Sequence, residues 1–154
     1  MIRILFVCYG NICRSTMAEF YMKELVRKAG LSEQIYVGSA ATSREEIGND
    51  TYYATKDKLR EKGIPFTKRG AVQLTRKDYE RYDYIIGFDA GNDAAIKRIT
   101  GGDRDHKIYS LLEFAGSDRE VPDPWYTRNF DATYEDVELG CKGLLEKLVQ
   151  SIKS

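Results

Sequence analysis

The feature that most constrains this chain is its alternation of short apolar runs with stretches of helical periodicity. Arg3–Val7 (RILFV), Ile35–Val37, Tyr84–Phe88 (YIIGF) and Ile108–Leu112 have the length and composition of strands buried in a parallel sheet. Helical patterns lie between them. Met17, Tyr21 and Leu25 recur at helical spacing after Ser15, with Gly30 as the stop. Thr51–Lys62 ends at Gly63, and Thr75 with Asp78 has the spacing of a capping box opening a short helix. Ala94–Ile99 stops at Gly101 and Gly102. Thr133–Ile152 carries Val137, Cys141, Leu144, Leu145, Leu148 and Val149 on one face. Gly116–Asn129, with two prolines, reads as a loop. The expected fold class is α/β, three layers with helices on both faces of a parallel sheet. Without repeats, low-complexity stretches or linkers, residues 1–154 are expected to form one domain.

Charge narrows the partners. Lys+Arg and Asp+Glu both number 24, so no whole-molecule attraction to nucleic acid or to an anionic membrane is expected, and any affinity for anions must be local. No apolar run has the length of a membrane span, and Met1–Gly10 is too short for a signal peptide, which points to the cytoplasm. Three cysteines, an odd number, argue against a secreted disulfide framework. A single histidine, His106, expected at the surface, excludes a His-rich metal site and leaves histidine-based catalysis without support.

Cys8-Tyr9-Gly10-Asn11-Ile12-Cys13-Arg14 occupies the junction of the first strand and first helix, where open α/β sheets bind ligands. Successive N–H groups of such a loop can form a nest for an anion, and the following helix adds its free amides and dipole. Arg14 offers a planar fork that pairs with two phosphate oxygens. A thiol placed as Cys8 is, at a helix N-terminus beside a guanidinium, has its pKa lowered and can attack phosphorus as a thiolate. Ser15 and Asn11 are placed to steady the thiolate and the loop. Cys-x5-Arg alone fits a small buried cysteine as well. The position between strand and helix, Gly10 at the expected sharp turn and Ser15 after Arg14 favour the anion site. The rival nucleotide loop needs a Gly-Lys-Ser/Thr ending that is absent.

Taken whole, Val7-Cys8-Tyr9-Gly10-Asn11-Ile12-Cys13-Arg14-Ser15 resembles the signature of the low-molecular-weight protein tyrosine phosphatases. The resemblance continues in order and spacing through Ser39-Ala40-Ala41-Thr42-Ser43, Ile47-Gly48-Asn49, Gly63-Ile64-Pro65, Phe88-Asp89 and Asp123-Pro124-Trp125-Tyr126. It implies a central four-stranded parallel sheet with the phosphate-binding loop between the first strand and first helix, a phosphotyrosine protein or peptide as substrate, and no cofactor; no metal and a monomer are expected besides. It makes Cys8 the nucleophile of a phospho-cysteine mechanism, Arg14 the phosphate clamp and Asp123 the general acid. The loop Tyr9, Gly10, Asn11, Ile12, Cys13 and Ser15 would bind substrate together with Trp125 and Tyr126, which wall the aromatic ring. Asn11, Ser15 and Ser39 would form the supporting network. The acid role also follows from the chemistry: phenolate leaves poorly unless protonated, and the resulting carboxylate can activate the hydrolytic water.

Cys13 is a candidate resolving cysteine that would protect Cys8 as a disulfide, whereas Cys141 reads as core. Arg69 stands near a position where the family often has histidine, Val72 replaces a frequent arginine, and Thr16 a usual proline. Arg44-Glu45-Glu46, where the family commonly has an aromatic lining the pocket mouth, reads as a solvated charge cluster, with an influence on peptide preference left open. Alternative readings are a protein-arginine phosphatase, disfavoured by Ile12 where such members tend to have threonine; an arsenate reductase, which would need a relay of further cysteines; and a catalytically weak phosphotyrosine-binding protein, which would be expected to lack Cys8 or Asp123.

Overall fold

The computed structural model describes residues 1–153. Four strands, β1 (Ile2–Cys8), β2 (Ile35–Ala41), β3 (Tyr84–Gly87) and β4 (Ile108–Ser110), form one sheet in the order β2-β1-β3-β4. Every pairing is parallel. The helices are α1 (Arg14–Lys28), α2 (Tyr53–Glu61), α3 (Asp78–Arg81), α4 (Ala90–Thr100), α5 (Pro124–Thr127) and α6 (Phe130–Lys153). This is the three-layer α/β/α arrangement expected from the strand–helix alternation.

Alternation along β1 explains the layering. Ile4, Phe6 and Cys8 join one core cluster with Met17, Met22, Val137 and Leu144 from α1 and α6. Leu5 and Val7 face the other cluster, with Tyr79, Ile85 and Ile96. A strand buried on both faces must be apolar, which is why Ile4–Val7 (ILFV) shows no polar alternation after the exposed Arg3. No helix among the described residues is long and apolar enough to cross a membrane.

Several boundaries differ from the sequence reading, for local reasons. Helix α4 begins at Ala90 rather than Ala94, because Asp89 caps it by accepting from the Asn92 N–H at 2.7 Å. The last strand stops at Ser110, and Leu111–Ala115 turn into a 3-10 segment that Gly116 ends in the left-handed region. β2 runs on to Ala41, four residues past the predicted end, because all seven of its residues pair with β1. The segment read as a loop contains the short α5, capped by Asp123 with Pro124 at its first position. Thr75 and Asp78 make the backward half of a capping box: the Asp78 carboxylate accepts from the Thr75 N–H at 2.8 Å.

β2 and β3 lie on opposite sides of β1, so the chain reverses its direction of sheet growth between β1 and β3. Such a switch point opens a crevice at the carboxyl ends of the strands. Cys8 closes β1 on that edge, and Phe88-Asp89 follows β3 on the same edge.

Candidate active site

The loop after β1 wraps a pocket of about 180 Å³ lined by Cys8, Tyr9, Gly10, Ile12, Cys13, Arg14, Glu45, Glu46, Asp123, Trp125 and Tyr126. Cys8 lies at the buried end of β1 and its Sγ is 3.1 Å from the Ser15 hydroxyl. Helix α1 starts without a side-chain cap and without an acidic residue in its first turn. Its dipole therefore presents an unneutralised positive end to the loop.

Gly10 was expected at the sharp turn, but the left-handed residue is Asn11, with φ of 59°. Its side chain holds that conformation. Asn11 Nδ2 donates to the hydroxyls of Ser15 (2.8 Å) and Ser39 (2.9 Å), and its Oδ1 accepts from Arg69 and from the Val72 N–H. Ser39 in turn donates to the buried carboxylate of Glu19. A Cβ on residue 10 would meet the Glu46 side chain at 3.4 Å, an ordinary contact distance, so the neighbouring loop packs directly over Gly10. The Asn11 hydrogen bonds join Asn11, Ser15 and Ser39 behind the pocket, and none of the three is on its wall. The Arg69 guanidinium, drawn below its ordinary pKa by burial against the pull of Glu19, Asp50 and Cys8, completes this network.

Arg14 is 2% exposed. Its Nη1 donates to Asp89 Oδ2 at 2.8 Å and to the Val121 carbonyl at 2.9 Å, and its Nη2 lies 3.5 Å from Asp123 Oδ2. Burial opposes the charge, yet Cys8, Asp89 and Asp123 outweigh it and raise the Arg14 pKa. With Nη1 fully engaged, the rest of the fork is left for an anion. Asp123 divides its carboxylate: Oδ1 accepts from the Trp125 N–H as the cap of α5, and Oδ2 faces Arg14. Cys13 also borders the pocket, but burial, reinforced by Cys8, pushes its thiol up to about 12. Cys141 is wholly buried in the core through α6, and burial raises its pKa well above the usual range.

A cysteine, an arginine and an aspartate converge on one anion-sized pocket, each from a segment matching a family motif. Comparison decides the family. The sequence matches the low molecular weight phosphotyrosine protein phosphatase family over residues 3–154. The chain belongs to that family. It is 39% identical over 150 residues to the low molecular weight protein-tyrosine-phosphatase YfkJ of Bacillus subtilis, covering 96% of each chain. The crystal structure of YfkJ superposes with a TM-score of 0.94 at 38% identity, over 98% of this chain and 96% of that one. SP-PTP, a low molecular weight protein tyrosine phosphatase from Streptococcus pyogenes, gives 0.86 at 40% identity over 96% and 93%. DARP, the drosophila arginine phosphatase, gives 0.87 at 26% identity over 96% and 98%.

Within this phosphatase fold, three features escaped the sequence reading. Glu45 and Glu46, read as part of a solvated cluster, line the pocket mouth, because the loop after β2 folds over Gly10. Asp89 holds Arg14; its signal was a carboxylate directly after a strand, on the same sheet edge as Cys8. Arg128, whose number suggests nothing, reaches across to Tyr52 and the aromatic wall.

Proposed function

We propose that this phosphatase hydrolyses phosphotyrosine in proteins or peptides through a phospho-cysteine intermediate. The observation that carries the reading is the convergence of Cys8, Arg14 and Asp123 on one pocket walled by Tyr9, Trp125 and Tyr126. The loop amides and the free N–H groups of Arg14 hold the three phosphoryl oxygens as charge spreads over them. Cys8 attacks phosphorus in line, its Sγ held by Ser15. Asp123, turned from Arg14 towards the leaving oxygen, donates the proton that makes tyrosine a neutral leaving group. It then takes a proton from the water that cleaves the S–P bond, returning thiolate and releasing phosphate.

Aromatic walls favour an aryl ester over a guanidino phosphate, and Ile12 on the pocket wall offers no hydroxyl to the latter. The arsenate reductase reading requires a mobile relay cysteine, and Cys141 is locked inside the core. Cys13 borders the same pocket as Cys8 and would close a protective disulfide once peroxide has converted Cys8 to its sulfenic acid, a step slowed by the burial that holds Cys13 as the thiol. Hydrolysis of p-nitrophenyl phosphate in EDTA, compared with Cys8→Ser, tests the reading: activity that survives chelation and vanishes in the variant supports it. Absence of activity in reduced wild-type protein would refute it.

A further inference from the structure

Helix α5 is a single turn, and something must hold Asp123 in place at its start. Arg128 ends that turn in the left-handed region, with φ of 59°, its N–H donating to the Pro124 carbonyl. From there the guanidinium donates to the Tyr52 hydroxyl at 2.7 Å. Its carbon lies 5.4 Å from the Tyr52 ring centroid, 5.9 Å from that of Trp125 and 5.9 Å from that of Phe130. Tyr52 meets Trp125 edge-on at 4.9 Å and stacks on Phe130 at 6.0 Å. It is also tied to the phosphate loop, since its N–H donates to the Ile12 carbonyl at 2.8 Å and its ring packs against Ile12 and Cys13.

We propose that Arg128 is a positioning residue for Asp123, a cation–π latch that fastens the acid-bearing turn to Tyr52 and through it to the phosphate loop. The inference rests on Asp123 being the general acid. Three aromatic faces and one hydroxyl around a single guanidinium make an arrangement that only a planar cation satisfies. Its substitution releases one end of a four-residue helix whose other end carries the acid. Arg128 is itself exposed and outside the pocket, so it acts on the carboxylate's position and not on substrate.

The test compares kcat/KM for phenyl phosphate, a poor leaving group, with p-nitrophenyl phosphate, a good one, because proton donation matters more to the first. Arg128→Gly keeps the left-handed backbone and removes the latch. The expected result is a loss of about tenfold on phenyl phosphate, a fraction of the ~10²–10⁴ that a general acid contributes, with about twofold or less on the nitrophenyl ester. Tyr52→Phe, which removes only the hydroxyl, shows the same selectivity at smaller size. Trp125 is the only tryptophan in the chain. Its emission shifts to the red in Arg128→Gly and acrylamide quenches it more strongly. In Asp123→Asn the further change Arg128→Gly adds no selective loss. A wild-type ester ratio in Arg128→Gly, or an equal loss on both esters, overturns the latch if Asp123→Asn is selective. A wild-type ratio in Asp123→Asn removes the acid assignment and the latch with it.

Discussion

Replacing Asp89 separates two duties that one carboxylate performs. Oδ1 caps α4 through the Asn92 N–H at 2.7 Å, and Oδ2 holds Arg14 Nη1 at 2.8 Å. Asp89→Ala removes both. Loss of the cap costs about 1 kcal/mol. Loss of a charge-assisted bond to a guanidinium costs about 1.5–3 kcal/mol; the Arg14 side chain is 3% exposed, and Asp89, at 27%, admits some water. The sum is about 3 kcal/mol, or a fall in Tm of about 6–12 °C at this chain length. Asp89→Asn keeps the capping oxygen but turns an NH2 donor towards Arg14, so it loses the charge-assisted bond and not the cap, at a cost of about 2 kcal/mol, or about 4–8 °C. Activity should follow the Arg14 duty. With Nη1 held by the Val121 carbonyl alone, the fork drifts, and misplacement by about 1 Å is worth about 10²-fold in rate. The expected kcat/KM is about 100-fold down in both Asp89→Ala and Asp89→Asn, read with p-nitrophenyl phosphate, while urea melts separate the two by the cap. Wild-type kcat/KM in Asp89→Ala would refute the claim that Asp89 positions Arg14. Equal destabilisation by Ala and Asn would refute the division of duties.

Further outcomes follow from other parts of the fold. Gly143→Ala drives a Cβ into the Phe114 carbonyl and should destabilise by about 3 kcal/mol at the upper end of overpacking; a wild-type urea midpoint would contradict the close approach of α6. Cys141→Ala should lower stability by about 1–2 kcal/mol with kcat/KM unchanged, whereas lost turnover would revive a relay role. Glu45→Lys with Glu46→Lys should raise kcat/KM several-fold for phosphopeptides with acidic flanks and lower it for basic ones; no change would place both carboxylates outside the peptide's reach. The Cys13 thiol goes from an ordinary 9.0 to about 12 on folding. Between those values the unfolded chain gives up the proton first, so stability falls as pH rises, by up to about 1.4 kcal/mol per pH unit. In Cys13→Ser that part of the alkaline slope should be missing from urea melts between pH 9 and 11.

Local signals carried much of this protein. RILFV followed by a glycine-containing loop and a 3.6-residue period dictates strand, turn and helix from neighbouring residues alone, and Cys8 and Arg14 sit six apart in one continuous segment. Their juxtaposition needs no long-range folding. The family motif around Asp123 was equally legible, because Asp-Pro-Trp-Tyr is contiguous. What the chain order concealed depends on the sheet. The order β2-β1-β3-β4 puts the end of β3 beside the end of β1, which brings Asp89 to Arg14 across 75 residues. The same packing lays Glu45 and Glu46 over Gly10, Arg69 against Asn11, and Arg128 on Tyr52, 76 residues away. A charged side chain in a sequence reads as a solvated surface because its partners are not its neighbours. Periodicity and turn chemistry act within a few residues and are written in the sequence, whereas the partners of a buried or half-buried charge are chosen only when the strands take their places in the sheet.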